Sequence, residues 1–284
     1  MPLLNLRIAD FIIEVKLHNT DRKYYIDHML KILRTHYKNF LLKNSQSEVD
    51  YKINIFDDDK VKNFTFKKKY HFLNIYNKTA KNKLTTYYLI GLFQFQIILL
   101  EILLDLLAKN KGLYLHASAN VVSNKTYVFI GKSGTGKSTI SKLLSKKYTK
   151  IADDGIFIRK KNKNYYCYMT PFFEKNSFFK KSDKYPLGGI YCFNKSNHFK
   201  IIKLQSQEYI YNRLLKQIVC KKDKLNDIIA TLADLNENFT YYYSLYFNRN
   251  KKKLLEFFKK KVIIPQNHQA QGGGPQELPK EQQG

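Results

Sequence analysis

Eight consecutive residues carry the plainest chemistry in the chain: Gly131, Lys132, Ser133, Gly134, Thr135, Gly136, Lys137 and Ser138. They satisfy the pattern Gly-x-x-x-x-Gly-Lys-Ser in full. Each residue type has a physical reason. Glycines let the backbone curl until several N–H groups point at one anion. Lys137 places a positive charge at the outer phosphates, and Ser138 offers a hydroxyl to Mg²⁺. A helix beginning here adds the positive end of its dipole. Tyr127, Val128, Phe129 and Ile130 supply a strand before the loop, while Ile140, Leu143 and Leu144 supply a buried helix face after it. The expected ligand is ATP or GTP with Mg²⁺. Its expected contacts are Gly131, Ser133, Gly134, Thr135, Gly136, Lys137, Ser138 and Thr139.

Asp153 and Asp154 begin fifteen residues beyond Ser138, a spacing that holds one helix and one returning strand. A strand end beside a phosphate loop is where a magnesium carboxylate is needed. Two adjacent acids can divide labour, one toward the metal and one taking a proton from an incoming hydroxyl. Followed by Gly155, they also make a good turn. Upstream, His116 stands before the small residues Ala117, Ser118 and Ala119, which leave room for close approach. From the residues alone it reads equally as structural or functional. Arg159 and Arg213 are the candidates for neutralising charge during phosphate transfer, although surface placement is the expectation for both.

These side chains need elements to hold them. Residues 8–17 read as a strand, 24–43 as a helix by apolar spacing, and 51–56 and 64–76 as strands. The Lys67-Lys68-Lys69 run reads as an exposed edge or loop. A long apolar helix is expected over 87–108. Strands follow at 113–122 and 126–130, then a helix at 137–147, a strand ending at 151–154, and a hairpin pairing 157–159 with 165–169. A strand at 188–193 precedes helices at 207–220 and 225–235, a strand at 241–247 and a basic helix at 251–261. Three regions result: an N-terminal α+β portion (1–84), a loop-bearing catalytic domain (85–264) and a disordered tail (265–284) rich in Gln, Gly and Pro.

Composition bounds the class of protein. Hydrophobic residues make up 44% of 284, enough for a large core. Lys and Arg number 50 against 23 acids, a net charge of +27. The excess is mostly Lys and accompanies abundant Asn, Ile, Tyr and Phe, a pattern AT-rich codons produce without selection for binding. Nucleic acid is therefore only weakly supported as a partner, and the lysine runs at 221–222, 251–253 and 259–261 read as solvated faces. Cys167, Cys192 and Cys220 are few and scattered, which argues for buried apolar roles and against a disulfide framework. The apolar stretch 87–108 is long enough to span a bilayer, but Glu101 and Asp105 within it are costly in lipid. No membrane span is expected, and a cytoplasmic location follows. Oligomeric state is left open.

Three strings taken together resemble one family: LHASANVV at 115–122, YVFIGKSGTGKSTISKLL at 127–144 and KIADDGIFI at 150–158. They are similar to the catalytic domain of HPr kinase/phosphorylase and its kinase-like relatives. YPLGGIYCFNKS, IIKLQSQEYIYNRLL and YYYSLYFNRNKKKLLEFF extend the resemblance more weakly, over roughly residues 100–260. It implies an α/β fold with a P-loop core of the HPr kinase/phosphoenolpyruvate carboxykinase type behind the N-terminal α+β portion. It implies that His116 sits near the γ-phosphate and tunes the acids. It also implies that Asp153 is the base toward a Ser/Thr-type hydroxyl and that Asp154 helps Ser138 hold Mg²⁺, with Lys137 at the phosphates. The N-terminal region does not match the family's regulatory domain, and the glycine-rich signature of the phosphorylase reaction is missing. The expected acceptor is thus another protein, a peptide or a small hydroxylated molecule. The alternatives are a nucleotide-binding regulatory module without transfer activity and a basic NTPase acting on nucleic acid.

Overall fold

The computed structural model describes residues 1–18, 21, 23–42, 48–57, 75–172, 184–247, 250–258 and 260. Two β-sheets and six α-helices make up the described residues. The first sheet contains β1 (Leu3–Ile8), β2 (Phe11–Leu17), β3 (Leu41–Leu42), β4 (Tyr51–Phe56), β5 (Tyr76–Ala80) and β6 (Lys83–Tyr87), in the order β3-β1-β2-β4-β6-β5. The expected strand at 8–17 is the second arm of a hairpin. Its two-residue turn is Ala9-Asp10, with φ of 51° and 60°, so the chain reverses where the alternating pattern read as continuous. β2, β4 and β6 run parallel, and the crossover from β2 uses α1 (Lys23–His36). Met29 and Leu33 are the buried residues of α1. The periodicity had extended this helix to 43, but it stops at His36 and the chain turns into β3. The expected strand at 64–76 and the Lys67-Lys68-Lys69 run lie outside the described residues, apart from the strand's last two positions.

Between the sheets runs α2 (Leu92–Lys109), the long apolar helix. It begins five residues later than the hydrophobic pattern suggested, because Tyr87 ends β6 and 88–91 turn the chain into the helix; β6 itself crosses the expected boundary at residue 84. Phe95, Ile98, Leu99, Ile102, Leu103, Leu106 and Leu107 are all buried in a core shared by both sheets. Its acids have partners: Tyr76 donates to Glu101, and Asp105 pairs with Lys78 at 3.2 Å and Lys221 at 2.9 Å. Lys221 is therefore held in an ion pair, where a solvated face had been expected. No helix among the described residues is long and apolar enough to cross a membrane.

The second sheet comprises β7 (Gly112–Leu115), β8 (Ser118–Val122), β9 (Lys125–Ile130), β10 (Thr149–Ala152), β11 (Ile156–Lys161), β12 (Asn164–Tyr168), β13 (Lys184–Lys195), β14 (Lys200–Lys203) and β15 (Tyr242–Phe247). Its main path is β10-β8-β9-β13-β12-β11-β7, with β15 and β14 extending from β13. The expected strand 113–122 is two strands, broken at His116-Ala117. β13 pairs with β12 through residues 184–186, then shifts register near Gly188 and Gly189, and runs parallel to β9 and β15. The carboxyl ends of β9, β13 and β15 therefore lie side by side. Four helices follow or cover this sheet: α3 (Lys137–Leu144), α4 (Gln207–Leu215), α5 (Leu225–Asn238) and α6 (Lys251–Phe258). A second apolar cluster, including Phe129, Ile140, Leu144, Tyr191, Phe193, Leu245 and Phe247, packs α3 onto the parallel strands. Cys167 and Cys192 are buried, and Cys220 is half-buried. The tail at 265–284 lies outside the described residues.

Candidate active site

The loop leaves the end of β9 and enters α3, as its sequence requires. Gly131, Gly134 and Gly136 have φ of 155°, 72° and 105°. At Gly136 any side chain would collide, because an added Cβ would lie 2.9 Å from the Phe247 ring. A Cβ on Gly131 would meet Phe193 at 3.4 Å. Phe247, the last residue of β15, and Phe193, two residues before the end of β13, thus lie against the loop. Thr135 Oγ1 donates to the Lys132 carbonyl at 2.8 Å and closes the curl.

Lys137 is buried, with 7% of its surface exposed. Its Nζ donates to the carbonyls of Gly131 at 2.7 Å and Lys132 at 3.3 Å, so the cation is held across the mouth of the loop. Burial lowers its pKa, and the negative charge of Asp154 offsets part of that shift. Ser133, Ser138 and Thr139 are exposed, and Thr135 and Gly136 partly so.

Two residues that sequence reasoning did not assign hold α3 in place. Ser118 Oγ donates to the Lys137 carbonyl at 3.0 Å, and Asn120 Nδ2 donates to the Ser141 carbonyl at 3.1 Å. Both are fully buried on β8. Their signal lay in the sequence as polar side chains two apart in a small-residue strand, a period that places both on one face.

His116 occupies the break between β7 and β8. Its backbone N–H donates to the Gln217 carbonyl at 2.7 Å, and its neighbour Leu115 bridges to Ile218. The segment after α4 therefore fixes the histidine from the open side of β7. Its ring Nδ1 lies 3.2 Å from Asp154 Oδ1. Asp154 is the second residue after β10, and its side chain is 75% exposed. Asp153 is held differently: its Oδ2 pairs with Lys150 at 2.6 Å, the side chain is only 21% exposed, and its Oδ1 is buried without a hydrogen-bond partner. Tyr114, also unassigned by sequence reasoning, lines the same corner. Burial first, and Asp154 second, push its phenol up to about 12. Its ring fills the space a side chain at residue 155 would need, which explains Gly155 after the acids.

The structure thus brings Asp154 beside His116 and within range of the Lys137 charge, and pairs Asp153 with Lys150. Of the two arginines, Arg213 reaches the carboxyl end of β13. It donates to Tyr209 Oη at 2.7 Å and to Asn194 Oδ1 at 3.4 Å, one residue beyond the Phe193 that supports the loop. Arg159 is neither on the surface nor near the loop. It is 8% exposed, its guanidinium stacks 3.8 Å above the Phe11 ring, and it donates to the Ala9 carbonyl. A strand position facing the other sheet leaves it no route to solvent.

No family model matches the chain, and no curated protein matches it. Among solved structures, the HPr(Ser) kinase/phosphatase from Coxiella burnetii is similar over 56% of this chain and 99% of that one, at 11% identity and a TM-score of 0.32.

Proposed function

We propose that the chain is a phosphotransferase that binds ATP or GTP at residues 131–138 and passes the γ-phosphoryl group to a hydroxyl. The observation that carries this reading is the His116–Asp154 pair, at 3.2 Å, beside the loop whose Lys137 feels the charge of Asp154. A loop that only bound a nucleotide would need neither an exposed carboxylate nor a histidine to orient it.

The residues fit Mg²⁺, which prefers hard oxygen donors. The Ser138 hydroxyl is exposed, and the buried, unpartnered Oδ1 of Asp153 is an acceptor in want of a cation or a water. When bound, the ion neutralises charge on the β- and γ-phosphates. Lys137 exchanges its loop carbonyls for phosphate oxygens. The loop N–H groups and the start of α3 stabilise the charge that develops. The acceptor oxygen forms the new bond to phosphorus as the β–γ bridge breaks, and its proton passes to Asp154. His116 holds that carboxylate in the orientation required. In this reading the two acids exchange the roles expected from the sequence; the Lys150–Asp153 pair and the exposure of Asp154 support the exchange.

The test is transfer of labelled γ-phosphate to candidate acceptors, with nucleotide affinity measured on the same proteins. Asp154→Asn is expected to lower transfer by about 10²-fold or more with affinity changed only a few-fold, whereas Asp153→Asn is expected to raise the Mg²⁺ concentration required. Tight nucleotide binding with no labelled acceptor would leave a binding module and sink the kinase reading. A larger loss from Asp153→Asn than from Asp154→Asn, at saturating Mg²⁺, would restore the other assignment of the acids.

A further inference from the structure

Helix α4 carries a half-buried cation that is held without any acid. Ser206 caps the helix, its Oγ accepting from the Tyr209 N–H at 3.2 Å, and one turn on from Tyr209, Arg213 lies on the same face. Arg213 Nη2 and Nε both donate to Tyr209 Oη, at 2.7 Å and 3.0 Å, and Nη2 also reaches Asn194 Oδ1 at 3.4 Å. Asn194 is fixed in turn, because its Nδ2 donates to the buried Ser244 Oγ on β15 at 3.1 Å. Lys150, Lys160, Lys184 and Lys221 each meet an aspartate. Arg213 is oriented by neutral oxygens alone: among the described residues no carboxylate pairs with it.

Strand register sets its place in the fold. β13 runs parallel to β9 with Cys192 opposite Ile130, the last residue before the loop. Asn194 is two residues further along, and so level with the loop. Phe193 between them packs with Ile140 and Leu144 of α3, and its carbonyl would lie 3.4 Å from a Cβ on Gly131. Cys192 belongs to the other core cluster, with Ile210 and Leu214 of α4. Side chains alternate along the strand, so Arg213 approaches Asn194 from the face opposite α3. The electrostatics agree: burial pushes the Cys192 thiol up to about 11, and the charge of Arg213 offsets part of that rise. Just beyond α4, the Gln217 carbonyl accepts from the His116 N–H at 2.7 Å. The short segment 213–217 therefore touches both the strand that flanks the loop and the histidine beside Asp154.

We propose that Arg213 binds the γ-phosphate and is the residue by which the site tells a nucleoside triphosphate from a diphosphate. The proposal rests on the phosphotransferase reading. In that reading the loop N–H groups, Lys137 and the start of α3 hold the phosphates from one face of the sheet. Arg213 reaches from the other face, on the side of His116, toward the phosphate that leaves. Its planar fork suits two phosphate oxygens. Exchanging Tyr209 and Asn194 for them breaks no ion pair and gains an opposite charge.

The test compares Mg²⁺-dependent binding of ADP and of β,γ-imido-ATP by titration calorimetry on the full chain, with the guanine pair substituted if the parent binds that instead. The parent is expected to bind the triphosphate analogue more tightly than the diphosphate. Arg213→Gln is expected to weaken the analogue roughly tenfold or more while the diphosphate changes by no more than about twofold. Arg213→Lys keeps the charge without the fork and is expected to weaken the analogue about threefold. If Arg213→Gln does not fold, Arg213→Lys decides alone. Equal losses for both nucleotides, or no loss for either, would overturn the proposal and leave the phosphotransferase reading standing, because the loop would still be binding nucleotide. A parent chain that binds neither nucleotide would overturn both.

Discussion

Gly136→Ala tests whether the loop is built as described. Gly136 has φ of 105° and ψ of 14°, outside the left-handed well that other residues enter, so an alanine there costs about 1–3 kcal/mol in backbone strain. Its Cβ would also lie 2.9 Å and 3.2 Å from two atoms of the Phe247 ring. Phe247 is buried in the cluster beneath α3, so moving it adds about 1 kcal/mol of overpacking. The sum is roughly 2–4 kcal/mol. Gly134 provides the internal control. Its φ of 72° is close to the left-handed well, and nothing lies within 4 Å of an added Cβ. Gly134→Ala should therefore cost only about 1 kcal/mol. Urea unfolding measures both, provided the slope is unchanged and only the midpoint moves. Phe247→Leu closes a double-mutant cycle: it relieves the contact, so in its background Gly136→Ala should cost less by about 0.5 kcal/mol or more. Equal destabilisation by the two alanines, or no coupling to Phe247, would refute the packing of the loop on β15.

Two further outcomes follow from buried polar contacts. Ser118→Ala and Asn120→Ala each remove one hydrogen bond to an α3 carbonyl, worth about 1 kcal/mol, and because both act on the same helix their combination should weaken nucleotide affinity more than the separate losses add up to, read by calorimetry. Asp10→Asn should lower stability at pH 7. Burial alone would raise the pKa of Asp10, but hydrogen bonds from Lys161, Lys184 and Tyr168 outweigh it and hold the folded carboxyl well below the usual carboxylate range, so its contribution is present above the unfolded value of about 3.9 and is lost as pH falls through the lower folded value. The difference between variant and parent in urea midpoint should accordingly shrink below pH 4; a constant difference would mean that Asp10 acts through packing alone.

The phosphate-loop pattern, its flanking strand and helix, and the neighbouring acids were all legible in the sequence because each depends on residues close together in the chain. Glycines at fixed spacing, a β-branched and aromatic run, and a 3.6-residue apolar period are local signals. Local signals failed where chain reversal needed no glycine or proline. Ala9-Asp10 turns a hairpin with two left-handed residues that read as the start of a strand, and His116-Ala117 divides an apolar run into two strands. The helix at 92–109 was expected to start at 87 because Tyr88, Leu89 and Ile90 are as apolar as the helix itself, but Tyr87 ends β6 in pairing with β4 and 88–91 turn the chain into the helix.

The sequence by itself determined that a glycine-rich turn joins a strand to a helix and that acids and a histidine lie near it in chain order. Tertiary structure decided which partner each acid meets. Asp153 and Asp154 are adjacent and chemically alike, but successive side chains leaving a strand point opposite ways, so one meets Lys150 and the other meets His116. The same alternation sends Arg159 into the contact with Phe11 and away from any phosphate, and places Ser118 and Asn120 under α3. A side chain's direction depends on which strand lies beside it, and that neighbour is set by pairings between residues far apart in the chain, which no local pattern records.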